Sequence, residues 1–211
     1  MSKEENVLKY DVLCNRLKNV IRTGWNVWHV QRERIESVAE HIYGVQMVAI
    51  AMKSEYQYDI DMMKVIYMLA IHELGEILIG DLVPFDASRA EKAKMEGEAV
   101  HKVLDNLLDR KQIGELYDEF DECTTKEAIF ANQCDKFEAC LQCKLYDEEG
   151  CVDMNKQDGN KAKFDEKYVE ILKSNPTWSE SWFRFWEQIY PFDDNFKAVL
   201  DYAINNDIKE L

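Results

Sequence analysis

Apolar side chains recur along most of this chain at three- and four-residue intervals, the spacing that lines one side of an α-helix. Val7, Leu8, Val12, Leu13, Leu17, Val20 and Ile21 set the period of a first predicted helix over residues 5–21. The period fails at Arg22-Thr23-Gly24-Trp25, and a polar, charged connection is expected from there to Glu36. Ser37 and Glu40 have the spacing of a capping box, in which each side chain satisfies a free backbone N–H at the helix start. A second helix is therefore predicted over 37–56 and a third over 59–78, followed by a loop over 80–86. Ser88 with Glu91, and Thr124 with Glu127, repeat the capping-box spacing. They open helices expected to run to residue 108 and through Leu145, with a short helix over 113–120 between them. The stretch 147–163 is polar, carries Gly150 and Gly159, and reads as a mobile loop or hairpin. Helical periods return over 164–173, 179–190 and 195–204, without internal repeat or low-complexity segment.

Composition narrows this to an all-α helical bundle. Only 3 Pro and 8 Gly occur in 211 residues, too few turn formers for a sandwich or barrel. At 46% hydrophobic and 32% charged residues the chain reads as globular and soluble, a single domain over 1–211 with a substantial core. A formal net charge of −15 disfavours a nucleic-acid polymer or an anionic membrane as partner. A small anion stays open, because one Arg and a metal can dominate a pocket. No stretch approaches the roughly 20 apolar residues that span a bilayer, and the N-terminus has no basic segment leading into an apolar run. Six Cys in that setting fit reduced thiols and a cytoplasmic location. Cys140 and Cys143 form a CxxC inside a helical period; with no second pair, they read as buried free thiols ahead of a metal site. The aromatic run from Trp178 to Phe196 reads as core packing or, alternatively, as a subunit interface.

The chemistry concentrates at His72-Glu73 and Glu76. Polar groups carried on an otherwise apolar helix are costly to bury unless something occupies the space between them. Neighbouring helical positions point about 100° apart, so His72 and Glu73 share one ion only if it lies over the edge between them. His41 and Asp135 sit on other predicted helices and are the candidates to close the site. The remaining His, His29 and His101, lie in a loop and in a highly charged helix. Two imidazoles and two carboxylates suit one divalent transition ion (Mn, Co, Fe, Ni or Zn) better than calcium or magnesium.

Arg22-Thr23-Gly24-Trp25, Glu36-Ser37-Val38-Ala39-Glu40-His41, His72 through Asp81 and Cys134-Asp135-Lys136 occur in an order and at separations that resemble the HD-domain metal-dependent phosphohydrolases. Within them the 5′-deoxynucleotidases, bacterial and eukaryotic, are the most similar. The likeness covers residues 8–146; the aromatic part over 160–211 adds little to it. The resemblance implies a helical HD bundle that hydrolyses deoxyribonucleoside 5′-monophosphates to deoxynucleoside and phosphate, with a tendency to homodimers. It implies His41, His72, Glu73 and Asp135 as ligands of one metal ion, and Glu76 and Asp81 as catalytic carboxylates. Arg22 is implied at the phosphate, and Leu82, Val83 and Pro84 at the sugar pocket. In the bacterial enzymes a Trp directly follows the Arg and crowds out a ribose 2′-OH; here Thr23-Gly24 intervene, and Trp25, the nearest Trp, is the one implied at the substrate. The family's defining dipeptide is His-Asp, where this chain has His72-Glu73. That exchange keeps open two other readings: a metal- or nucleotide-binding protein without turnover, and a hydrolase of another phosphoester.

Overall fold

A computed structural model describes residues 2–83 and 89–210. The regular elements among its described residues are helices: α1 (Lys3–Cys14), α2 (Thr23–Val27), α3 (Val38–Tyr56), α4 (Met62–Ile71), α5 (Glu76–Ile79), α6 (Arg89–Leu104), α7 (Arg110–Glu122), α8 (Lys126–Glu148), α9 (Glu166–Ser174), α10 (Trp178–Ile189) and α11 (Asp194–Asn205). Short 3₁₀ turns cover Asn15–Asn19 and Lys161–Phe164. No strand occurs among the described residues, and the one β-type contact is an isolated antiparallel bridge between Ile21 and Ser37. The chain divides into two compact units, one of Met1–Thr23 with Glu36–Cys134 and one of Gly24–Ile35 with Asp135–Leu211.

In the first unit α3 packs on α4, α6 on α5 and α7, and α4 on α7. The core gathers Leu17, Val38, Ile71, Leu74, Val100, Val103, Leu104 and Tyr117, three of them from α6. The Ser37–Glu40 capping box forms as expected: Glu40 N–H donates to Ser37 Oγ, and Ser37 N–H to Glu40 Oε2 at 2.9 Å. Thr124–Glu127 does not form one. Thr125 Oγ1 instead accepts from Ala128 N–H, and the Glu127 carboxylate is drawn across to the Asp61 N–H at 3.0 Å, at the start of α4. The third box, at Ser88, falls outside the described residues. The first predicted helix is α1 tightened at its end into 3₁₀ geometry, and the expected connection after Arg22 contains a short helix, α2.

The helix predicted over 59–78 departs furthest from expectation, since it stops at Ile71 and restarts at Glu76. Between them Leu74 N–H reaches Ile71 O at 3.1 Å and Glu76 N–H reaches Glu73 O at 3.1 Å, bonds across three residues instead of four. Apolar spacing cannot tell these tighter turns from an α-helix over so short a run.

The second unit is built on aromatic packing. Trp25 stacks on Trp182 (centroids 5.3 Å) and meets Tyr146 and Trp178 edge-on; Trp28 packs on Tyr168 and Trp178; Phe137 packs on Phe196. Trp178, Phe183, Phe192 and Phe196 of the C-terminal run are thus core side chains, each aromatic pair adding about 0.5–1.5 kcal/mol beyond its buried area. The stretch 147–163 is fastened where a mobile loop or hairpin was expected. Buried Gln157 donates from Nε2 to Trp28 O, Asn160 Nδ2 donates to Gln157 Oε1, and Gln31 N–H donates to Cys151 O. Cys140 and Cys143 are free, fully buried thiols, and burial drives both pKa values up.

Candidate metal centre

The backbone around Arg22 is tied to the start of α3: Arg22 N–H donates to Glu36 O at 3.1 Å, and Val38 N–H to Val20 O at 2.8 Å, on either side of the Ile21–Ser37 bridge. His41 lies one turn into α3 and has no exposed surface. The tight turns after α4 bring His72, Glu73 and Glu76 to the same place. With about three residues per turn, positions three apart eclipse, so Glu73 and Glu76 share a side.

His72 Nδ1 lies 2.7 Å from Leu69 O. A carbonyl oxygen only accepts, so Nδ1 carries the proton and the lone pair of the neutral ring is on Nε2. The bond also fixes the ring, in the way metal-binding imidazoles are held from their far side. His72 Nε2 is 3.6 Å and His41 Nε2 3.8 Å from one and the same oxygen, Glu73 Oε1. The ligand atoms of these three residues all lie within 4.8 Å of one another. Ligands about 2.1 Å from one ion stand roughly 3–4 Å apart, so the spacing fits a single divalent ion. Two imidazole nitrogens and a carboxylate oxygen are a donor set for a transition metal.

Charge points the same way. Arg22 Nη1 faces Glu73 Oε1 at 3.2 Å, Asp81 Oδ1 at 3.5 Å and Glu76 Oε1 at 3.9 Å, one guanidinium against three carboxylates. Burial above all, then the charges of Glu73 and Asp81, push the Glu76 carboxyl well above the ordinary carboxylate range, with Arg22 opposing. Lys92 on α6 donates from Nζ to Leu82 O at 2.6 Å and pairs with Glu96 at 3.3 Å. Its pKa is raised: burial pulls it down, but the carboxylates of Glu96, Glu73, Asp81 and Glu76 outweigh that.

Six of the residues singled out from sequence thus meet in the first unit: Arg22, His41, His72, Glu73, Glu76 and Asp81. Leu82 follows Asp81 directly, and Val83 is buried; Pro84 lies outside the described residues. Asp135 and Trp25 belong to the second unit. Asp135 is buried on α8, one residue beyond Cys134, with an oxygen 2.7 Å from Lys136 Nζ. Trp25 is buried among the rings of its own unit. Two site residues escaped the sequence reading, Thr23 and Lys92. Thr23 stood in plain view inside the Arg22–Trp25 motif, whereas nothing in the pattern around Lys92 marks it.

The family model described as HD domain matches residues 14–173. Among curated proteins the chain is 35% identical over 152 residues to the 5′-deoxynucleotidase HDDC2 of Dictyostelium discoideum, covering 68% of this chain and 79% of that one. It is 31% identical over 146 residues to the 5′-deoxynucleotidase HDDC2 of Homo sapiens, covering 68% and 69%. Solved structures similar in fold include the PH0347 protein of Pyrococcus horikoshii (TM-score 0.65, 24% identity, 93% of this chain and 97% of that one). Another is a predicted metal-dependent phosphohydrolase of Magnetospirillum magnetotacticum (TM-score 0.61, 21% identity, 97% and 94%).

Proposed function

The chain belongs to the HD-domain family, and from that premise we propose that it is a metal-dependent phosphomonoesterase that hydrolyses deoxyribonucleoside 5′-monophosphates to deoxynucleoside and phosphate. The observation that carries this reading is the meeting of His41, His72 and Glu73 around one ion-sized space, with Arg22 reaching across Glu73, Glu76 and Asp81 beside it. The likeness to curated 5′-deoxynucleotidases supports the substrate class.

His41, His72 and Glu73 hold the ion, and Asp135 is the fourth ligand. Its burial and its place on α8 directly after Cys134 support that role. When bound, a divalent transition ion (Mn, Co, Fe, Ni or Zn) supplies a Lewis acid at a phosphate oxygen and eases deprotonation of water. Glu76, with its raised pKa, takes the proton of the water that attacks phosphorus. As the bond from phosphorus to the sugar oxygen breaks, Asp81, entering the step in its protonated form, gives that oxygen its proton and is left as the carboxylate. Arg22 exchanges its carboxylate partners for phosphate oxygens, which its forked donors match. Leu82 and Val83 line the sugar, and Trp25 follows Thr23 by two residues in the sequence of α2.

Among the described residues no helix is long and apolar enough to cross a membrane. The thiols of Cys14, Cys140, Cys143 and Cys151 support a cytoplasmic location. A homodimer completes the reading, supported by the exposed stripe Tyr43, Met47 and Ile50 along α3, and sedimentation velocity checks it.

Phosphate release from a panel of deoxy- and ribonucleoside monophosphates, with Mn or Co added, tests the activity. Release from the deoxy series that is lost in His72→Ala is expected. No release above that control from any metal-loaded sample overturns the enzyme reading, and nucleotide binding seen without release identifies a binding protein.

A further inference from the structure

The residues from Gly80 to Val83 adopt no regular secondary structure, so no helix ladder sets the direction of the Asp81 side chain. The turn starts at Gly80, whose φ of 75° is open to glycine and strained for other residues. What fixes Asp81 is its neighbour across the site. Thr23 N–H donates to Asp81 Oδ2 at 2.6 Å, and Thr23 Oγ1 donates to the Asp81 carbonyl oxygen at 2.7 Å. One bond holds the carboxylate and the other holds the backbone that carries it. A two-point clamp of this kind leaves the side chain a single orientation, in which Asp81 Oδ1 faces Arg22 at 3.5 Å. Lys92 Nζ, on α6, pins the next carbonyl, that of Leu82.

We propose that Thr23 is a positioning residue of the reaction: its hydroxyl sets where the Asp81 carboxyl meets the departing sugar oxygen. The proposal rests on the reading of Asp81 as a catalytic group. Arg22 and Thr23 then divide one segment between two tasks, the Arg side chain facing the phosphate and the Thr clamping the acid. The Thr side chain is needed for its hydroxyl; the main-chain donor survives any substitution except Pro.

Thr23→Val keeps shape and removes only the hydroxyl. Misplacement by about 1 Å costs on the order of a hundredfold in rate, so kcat for a deoxynucleotide is expected to fall between roughly tenfold and a hundredfold, with KM changed less than about threefold. Thr23→Ser, which keeps the hydroxyl, is expected to recover kcat to within about threefold. Mn affinity, carried by residues Thr23 does not touch, is expected to stay unchanged in both. A general loss of folding would lower all of these together, and a melting curve of each variant identifies it. The clamp is also read without turnover, in crystal structures of the wild type and of Thr23→Val. A shift of the Asp81 carboxylate by several tenths of an ångström or more supports the proposal. Unchanged Asp81 coordinates, or wild-type kcat in Thr23→Val, overturns it. A wild-type protein that releases no phosphate overturns the proposed activity instead, and the crystallographic comparison then decides the clamp by itself.

Discussion

Gly75 is the residue at which the geometry of the centre is most exposed to a single added atom. It separates Glu73 from Glu76 in the tight turns between α4 and α5, and α6 passes directly over it. A Cβ there would stand 2.9 Å from the Glu96 carbonyl oxygen and 3.2 Å from Glu96 Cα. Carbon–oxygen contacts of this type ordinarily sit at about 3.3–3.6 Å. The two segments must therefore part by roughly half an ångström, and both contacts are backbone, so no side chain can swing away. Overpacking of this kind costs about 1–3 kcal/mol. Against it stands a gain from the unfolded state: Gly75 has φ −59° and ψ −35°, which alanine adopts freely, and Gly→Ala at such a position stabilises by about 0.4–1 kcal/mol. The clash wins, leaving a net loss of about 1–2 kcal/mol for Gly75→Ala. At roughly 2–4 °C per kcal/mol for a chain of this size, Tm is expected to fall by about 2–8 °C. A half-ångström shift of Glu73 and Glu76 is expected to lower kcat on the order of tenfold, taking about a hundredfold per ångström. Differential scanning fluorimetry and phosphate release measure the two effects. A variant that melts at or above the wild type with unchanged turnover refutes the reasoning, because the propensity term would then have outweighed the clash.

Glu76→Gln is expected to abolish most turnover, by about 10²- to 10⁴-fold if the carboxylate is the base, and yet to raise Tm of the metal-free protein at neutral pH. The folded-state pKa of Glu76 is raised, so the native state binds the proton more tightly than the unfolded chain, and stability falls as pH rises from the ordinary carboxylate range through the raised value. The Tm advantage of Gln should therefore shrink as pH falls, and a constant advantage would count against this account. Glu73→Asp withdraws the carboxylate by about 1.5 Å, one C–C bond, from imidazole nitrogens that stand 3.6 and 3.8 Å away. Mn affinity measured by calorimetry is expected to weaken and turnover to drop; a gain in turnover would show that Glu73 impairs the site. Burial raises the thiol pKa values of Cys140 and Cys143, so Ellman's reagent at pH 7.5 is expected to leave both unmodified until denaturant is added. Rapid modification of either in the native protein contradicts their placement.

The helices were legible because burial on one side imposes a 3.6-residue period, and the Ser37–Glu40 box marked its helix start to the residue. The candidate ligands His41 and His72 were conspicuous for a related reason: both are imidazoles in apolar surroundings, where an unexplained polar group stands out. The break at 72–75 was not. A run bonded across three residues keeps the same apolar positions inside, and only the backbone hydrogen bonds distinguish it. Thr23 was visible within its motif but its task was not, since its hydroxyl and N–H act on Asp81, 58 positions away, and nothing local in the sequence announces such a bond. The cap at Thr125 shows the same limit on a smaller scale. Thr124 and Thr125 are equivalent in local pattern, and the choice is made by Glu127 turning to the Asp61 N–H.

The most direct test joins the ion to the chemistry in one sample. Metal-free protein is titrated with Co by calorimetry, and each loaded fraction is then assayed for phosphate release from a deoxyribonucleoside 5′-monophosphate. Release that rises in step with occupancy of one high-affinity site per chain, with both signals lost in His72→Ala, is the predicted result. Full release from chelator-treated protein, or none from the fully loaded wild type, would contradict the account.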